Sequence, residues 1–242
     1  MDRRGFFKIS KDSLLYAASL SAVSATVLWG DEGRFMQKFE RVKLLDCYNN
    51  PLKEETLKEE ETYIFNYPYV STPAFLLKLK NPPKEQMRLK DEEGNEYLWR
   101  GGVGKEGKIV SYMAICTHQL AHPNPLESFV GYVGENQRSS AYSKGGVIVC
   151  SSHLSVFDPR RGGIPLTGPA RSPLAAVVLE SDSNGDLWAV GVAGSVRFRE
   201  FFRSFRPEFK RFYGGLRKAK RFVFGATVVK PISQYTKEVV IF

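Results

Sequence analysis

Residues 113–125, MAICTHQLAHPNP, and residues 145–159, GGVIVCSSHLSVFDP, decide the reading of this chain. Each is an apolar, strand-like run that ends in a short knuckle. The first knuckle is Cys116-Thr117-His118 and the second is Cys150-Ser151-Ser152-His153. The chain has only three cysteines and three histidines, and two of each sit here, in the same Cys-then-His order. Two thiolates and two imidazoles suit a tetrahedral zinc ion. They also suit a 2Fe–2S cluster with both cysteines on one iron and both histidines on the other. Zinc knuckles more often place two like ligands in one turn. Mixed knuckles follow directly if each loop gives one ligand to each of two irons.

Three segments carry a resemblance. C-T-H-Q-L-A (Cys116 to Ala121), C-S-S-H-L-S-V-F (Cys150 to Phe157) and G-P-A-R-S-P (Gly168 to Pro173) occur in that order. They resemble the two cluster loops and the proline loop of Rieske iron–sulfur proteins, which usually read C-T-H-L-G-C, C-P-C-H-G-S-x-Y and G-P-A-P. The likeness covers roughly residues 40 to 195. It implies one 2Fe–2S cluster, with Cys116 and Cys150 on the inner iron and His118 and His153 on the outer one. It makes His118 and His153 the catalytic groups and gives Ser155 a hydroxyl bond to a bridging sulfide. The departures matter too. The family's disulfide between the loops has Ala121 and Ser152 at its two ends, so neither thiol is present. The family's tyrosine is Phe157, which has no hydroxyl to donate to sulfur. Losing a donor to cluster sulfur lowers the reduction potential.

The resemblance further implies a membrane quinol–cytochrome c oxidoreductase of the cytochrome bc kind. This chain would be its electron-transfer subunit, with cytochrome b, a c-type cytochrome and quinol as partners. A rival is the small Rieske subunit of a periplasmic molybdenum oxidoreductase such as arsenite oxidase. A second rival is a Rieske-fold protein with no cluster and a structural role. Ring-hydroxylating oxygenases are disfavoured, because a second iron site cannot be built from the one remaining histidine.

Around this centre the 242 residues are 43% hydrophobic and 25% charged, a globular composition with room for a sizeable core. Strand-like runs dominate, among them VKLLDCY, ETYIFNYPYV and AFLLKLK, divided by Asn/Pro breakers. LAAVVLE and DLWAVGV, joined by Asp182-Ser183-Asn184-Gly185-Asp186, read as a hairpin. The expected fold is all-β: an antiparallel sandwich over residues 41–196, with a cluster-binding subdomain over about 110–175. Cys47 reads as a packed residue in a strand, and His122 as a loop residue, with contact to a partner or quinol the lesser alternative. The stretch between His118 and Cys150 reads as a surface loop or a lobe.

The ends differ in character. Residues 1–30 begin MDRRGFFK and continue with an uncharged run, Leu14 to Gly30. This resembles a twin-arginine signal, favoured here as retained in a single-pass transmembrane helix, with cleavage after Val23-Ser24-Ala25 the alternative; either would put the soluble domain on the outer, periplasmic side of the cell membrane. Residues 31–40 read as a hinge linker. The net charge is +9, and Arg197 to Lys230 alone holds eleven Lys/Arg against two Glu, so the rest of the chain balances. Phenylalanines recur there at spacings of three and four, as on one face of a short helix. Residues 197–242 are therefore expected to be a helical, basic, aromatic extension that docks on anionic lipid or an acidic partner, with packing on its own domain the alternative. Nucleic acid is not expected as a partner of an exported chain.

Overall fold

The computed structural model describes residues 26–30, 34–194 and 196–241. The chain opens with β1 (Thr26–Gly30), β2 (Arg34–Leu45), β3 (Thr62–Asn66) and β4 (Pro73–Lys78). The hairpin β5 (Met87–Lys90) and β6 (Glu96–Trp99) follows, then β7 (Ile109–Met113). The middle of the chain gives β8 (Glu127–Ser128), β9 (Val130–Val133), β10 (Val147–Cys150), β11 (Ser155–Asp158) and β12 (Ile164–Thr167). The hairpin β13 (Ala176–Ser181) and β14 (Leu187–Ala193) leads into helices α1 (Phe198–Ser204), α2 (Arg206–Tyr213) and α3 (Leu216–Ala219). The chain ends with β15 (Ala226–Val228), β16 (Lys230–Pro231), α4 (Ile232–Tyr235) and β17 (Glu238–Val239).

The base is one sheet in the order β1-β2-β14-β13-β7-β4-β3-β16, with β15 added parallel to β2. Thr227 on β15 donates to Asn66 O at the end of β3, 3.2 Å away, so the sheet almost closes on itself. A second sheet, β12-β11-β10-β9, carries the second knuckle. The runs of β4 and β7, in the middle of the base sheet, are mostly apolar because both faces of the sheet are covered there. On β4, Ala74 and Leu76 face one core while Phe75 and Leu77 face the other. The same alternation along β7 and just beyond it sends Met113 and Ile115 to the first core and Tyr112, Ala114 and Cys116 to the second. The β13–β14 hairpin forms as its sequence predicts. Asp182 accepts from the N–H groups of Asn184 and Asp186 and from the Trp188 indole at 2.9–3.1 Å, and Gly185 takes φ +77°.

Several expectations are corrected. Thr26–Gly30, the end of the run expected as a transmembrane helix, is a strand paired with β2; the rest of that run and the Arg3-Arg4 pair lie outside the described residues. Among the described residues no helix is long and apolar enough to cross a membrane. The expected hinge is largely strand, since β2 starts at Arg34 and pairs with both β1 and β14. Cys47 lies past the end of β2 and is exposed, with its sulfur 3.6 Å from Val229 O. The aromatic extension turns inward: Phe201, Phe202 and Phe209 are buried in the first core. The spacing of three and four does make a helical stripe, and the stripe covers the base sheet. The cations Arg203, Arg206, Lys210 and Arg211 are left facing out.

Candidate metal centre

Strand β7 aims the chain at the first loop, which then closes on itself. Cys116 N–H donates to Ala121 O and Leu120 N–H donates to Cys116 O, both at 2.9 Å. The second loop is the tip of the β10–β11 hairpin, with Cys150 paired opposite Ser155. Each turn needs one residue in the left-handed region. These are Leu120 (φ +60°) and Leu154 (φ +57°), each four residues after its cysteine. Leucine is costly there, because its Cβ crowds the following carbonyl. In the Rieske loop patterns quoted above, both positions are glycine.

The two turns treat their sulfurs alike. Cys116 accepts from the N–H groups of His118 and Gln119, and Cys150 accepts from those of Ser152 and His153. The Ser155 hydroxyl also bonds the Cys116 sulfur and accepts Ala170 N–H at 3.2 Å. Both cysteines are buried, and they hydrogen-bond each other. That bond from Cys150 draws the Cys116 thiol down to about 7, against the effect of burial. The same bond, with burial behind it, pushes Cys150 well up. The opposite shifts describe one proton held by the pair, not two separate thiols.

The rings form a second pair. His118 and His153 meet edge to face with centroids 4.8 Å apart. His118 is half-buried, and its Nδ1 is an interior nitrogen with no hydrogen-bond partner; His153 is exposed. An unpartnered imidazole nitrogen is costly in an interior and is the kind of atom a metal takes up. Among the described residues, no three His, Cys, Asp or Glu side chains converge on a single ion's position. Sulfur is paired with sulfur and ring with ring, the division that a two-iron cluster with unlike ends requires. The donor set therefore fits a 2Fe–2S group better than one zinc ion.

The proline loop closes over both knuckles. Thr117 Oγ1 donates to Ser172 O at 2.9 Å. Gly168 (φ +87°) lies so close to the second loop that a Cβ there would overlap Leu154 O and sit 2.6 Å from the Cα of Ser155. Phe157 is fully buried in the second core.

Some neighbours of the site leave no mark in the local sequence. Arg197 Nη2 donates to Thr117 O (2.7 Å) and His118 O (3.1 Å). His122, read from sequence as a loop residue, is buried; its ring nitrogens lie 2.9 Å from Leu120 O and 2.8 Å from Glu208 Oε1. The doubled leucine-for-glycine change was visible in the sequence and marks the turns. The role of Glu208, far along the chain from His122, was not.

Residues 77–178 match the family model of the Rieske [2Fe-2S] domain. "Iodate reductase subunit IdrB" from Pseudomonas sp. (strain SCT) is 31% identical over 140 residues, and the protein of the same name from Denitromonas iodatirespirans is 31% identical over 144. Those stretches cover 58% and 60% of this chain but only 57% and 62% of the relatives, less than two thirds of their length. The soluble domain of Rieske protein II (soxF) from Sulfolobus acidocaldarius is 26% identical, covering 66% of this chain and 82% of that one, with a TM-score of 0.45.

Proposed function

We propose that this chain, which carries a Rieske [2Fe-2S] domain and with it one 2Fe–2S cluster, is the electron-transfer subunit of a multi-subunit oxidoreductase on the outer side of a cell membrane. Cys116 and Cys150 would hold the inner iron, and His118 and His153 the outer one. When bound, such a cluster carries single electrons. The chain's own residues set the terms of that traffic. The N–H groups of His118, Gln119, Ser152 and His153 face the sulfurs and favour their charged form. The paired thiols are buried and shielded from water, while His153 is exposed. That one-sided exposure is the observation that carries the reading: a partner can approach the ring edge but not the sulfurs.

The relatives named as iodate reductase subunits favour the rival reading drawn from the sequence, the small Rieske subunit of a periplasmic molybdenum oxidoreductase. A quinol–cytochrome c oxidoreductase with cytochrome b, a c-type cytochrome and quinol remains the second reading, supported by the three Rieske loop segments. The outward cations of the C-terminal helices suit an acidic partner surface or anionic headgroups. The outer-side location rests on the paired arginines and apolar run of the first thirty residues.

Purification from native membranes tests the assignment. A co-purifying reductase subunit supports the first reading and cytochrome b the second. Iron analysis and the EPR spectrum of the reduced chain test the cluster, and an iron-free chain would falsify both readings. With Phe157 in place of a hydroxyl donor, the midpoint potential is expected well below the top of the Rieske range, about +300 mV.

A further inference from the structure

We propose that the segment from Arg197 to Ile241 is a strap that fastens the two cluster loops without a covalent bond, with Arg197 and the His122–Glu208 pair as positioning residues. The inference rests on the cluster reading above. The family's tie between the loops cannot form here, because its two positions hold Ala121 and Ser152. Something else must keep the loops in register.

The strap grips the first loop at two places. Arg197 holds the carbonyls of Thr117 and His118, while its Nε lies 3.0 Å from Glu92 and its Nη1 lies 3.3 Å from Glu200. Two carboxylates thus aim the guanidinium at the backbone of the proposed ligand. Arg197 itself takes a left-handed backbone (φ +47°), a conformation kept only where surrounding contacts enforce it. In the next helix, Glu208 of α2 reaches His122, whose other ring nitrogen holds Leu120 O. Phe201 and Phe205 pack edge-on against that ring at 4.8 and 4.5 Å. The same helices bury Phe201, Phe202 and Phe209 in the base core, so the grip has a fixed footing.

The strap then reaches the second loop's sheet. Lys237, Glu238 and Val240 N–H groups donate to Pro125, Leu126 and Ser128 carbonyls at 3.3, 3.1 and 2.8 Å, and β17 lies parallel to β8. The Ile241 side chain covers Gly131 on β9, where a Cβ would collide with it. Gly131 pairs with Val149, one residue before Cys150. A single segment therefore holds the first loop directly and bears on the second through β9, the strand paired with its stem.

The test compares Arg197→Ala and Glu208→Ala with Arg197→Lys, Glu208→Gln and Phe224→Ala, all in the full chain. The two alanine variants at the grip are expected to lose iron to a chelator about tenfold faster or more, as when partners of metal ligands are removed. They should also shift the EPR signal and the midpoint potential. The two conservative variants should recover part of this, and Phe224→Ala should match wild type. Amide exchange of residues 117–121 in the cluster-free chain reads the strap independently of the metal, with faster exchange expected in both alanine variants. Unchanged exchange in both overturns the strap, as does wild-type iron retention with an unchanged EPR signal. A wild-type chain without iron but with strap-dependent exchange overturns the cluster reading instead.

Discussion

Replacing Gly168 by alanine separates two costs that the structure places on the proline loop. The first is conformational. At φ +87° a residue with a Cβ loses about 1–2 kcal/mol relative to glycine. The second is contact. The new methyl would sit 2.6 Å from the Cα of Ser155 and overlap the Leu154 carbonyl; these are backbone atoms that cannot rotate aside. Forced overlap of this kind costs about 1–3 kcal/mol. Together the change should remove about 2–5 kcal/mol, a large share of the roughly 5–15 kcal/mol that holds an ordinary domain. Gly185→Ala is the internal control. It has φ +77° and nothing within 4 Å of the added Cβ, so it carries the first cost alone. Chemical denaturation of both variants gives the two free energies, and their difference isolates the close approach. Ser155 would be displaced as well, and with it the hydroxyl that bonds Cys116, so Gly168→Ala should hold iron less well than Gly185→Ala. If Gly168→Ala costs no more than Gly185→Ala, the proline loop does not press on the second knuckle.

Other substitutions test separate parts of the account. Phe201→Ala should cost about 3–5 kcal/mol, the range for a buried phenylalanine, and exposed Phe224→Ala less than about 0.5; equal costs would return the C-terminal segment to the surface. Leu120→Gly should destabilise more than Leu154→Gly, because both relieve a left-handed leucine but only Leu120 is buried, at 4% exposure against 45%; thermal melts give the order, and the reverse order would contradict the packing. Asp182 is held below its ordinary carboxyl value by the Trp188 indole N–H, with the turn N–H groups adding to it. Its folded value is the depressed one, so its contribution is complete above the ordinary 3.8 and is lost as pH falls through the lower folded value. Asp182→Asn should flatten that part of the acid-stability curve, and an unchanged curve would remove Asp182 from the hairpin's account.

The two knuckles and the β13–β14 hairpin were legible because their information is local. A cysteine and a histidine two or three residues apart at a strand end, or an aspartate four residues before its turn partner, act within one loop. The same holds for the continuous apolar runs of β4 and β7, whose lack of alternation signals cover on both faces. What covers those faces was not legible. The phenylalanine spacing in the C-terminal segment showed a helical stripe, but a stripe is the same whether it meets a lipid surface, a partner or the chain's own sheet. His122 had the same ambiguity: its burial depends on Glu208 and Phe201, both brought from far along the chain. The expected hinge failed for a related reason. DEGRFMQKFE is polar enough for a linker, yet β14 and β1 offer a hydrogen-bonding edge on each side of it, and the pairing decides the conformation.

The loss of the disulfide positions and the presence of the strap bear on each other energetically. A cross-link between positions 121 and 152 would act mainly on the unfolded chain, and for a loop of that length would stabilise by about 3–4 kcal/mol. Arg197 bonds two carbonyls with a charged donor, each bond contributing about 1.5–3 kcal/mol before the ordering of its side chain is counted. His122 and Glu208 add a second, largely buried contact. The two devices are thus of similar strength but different kind. A disulfide can be reduced by the same small thiols that reduce its surroundings, and its opening would free both loops at once. Carbonyls held by a guanidinium have no such chemistry. The strap therefore predicts a cluster whose retention is indifferent to external thiol but sensitive to agents that compete for the guanidinium and the carboxylates. High salt should loosen the His122–Glu208 contact only weakly, because it is mostly buried, and the Arg197 ion pairs more, because Glu92 and Glu200 are partly open to solvent.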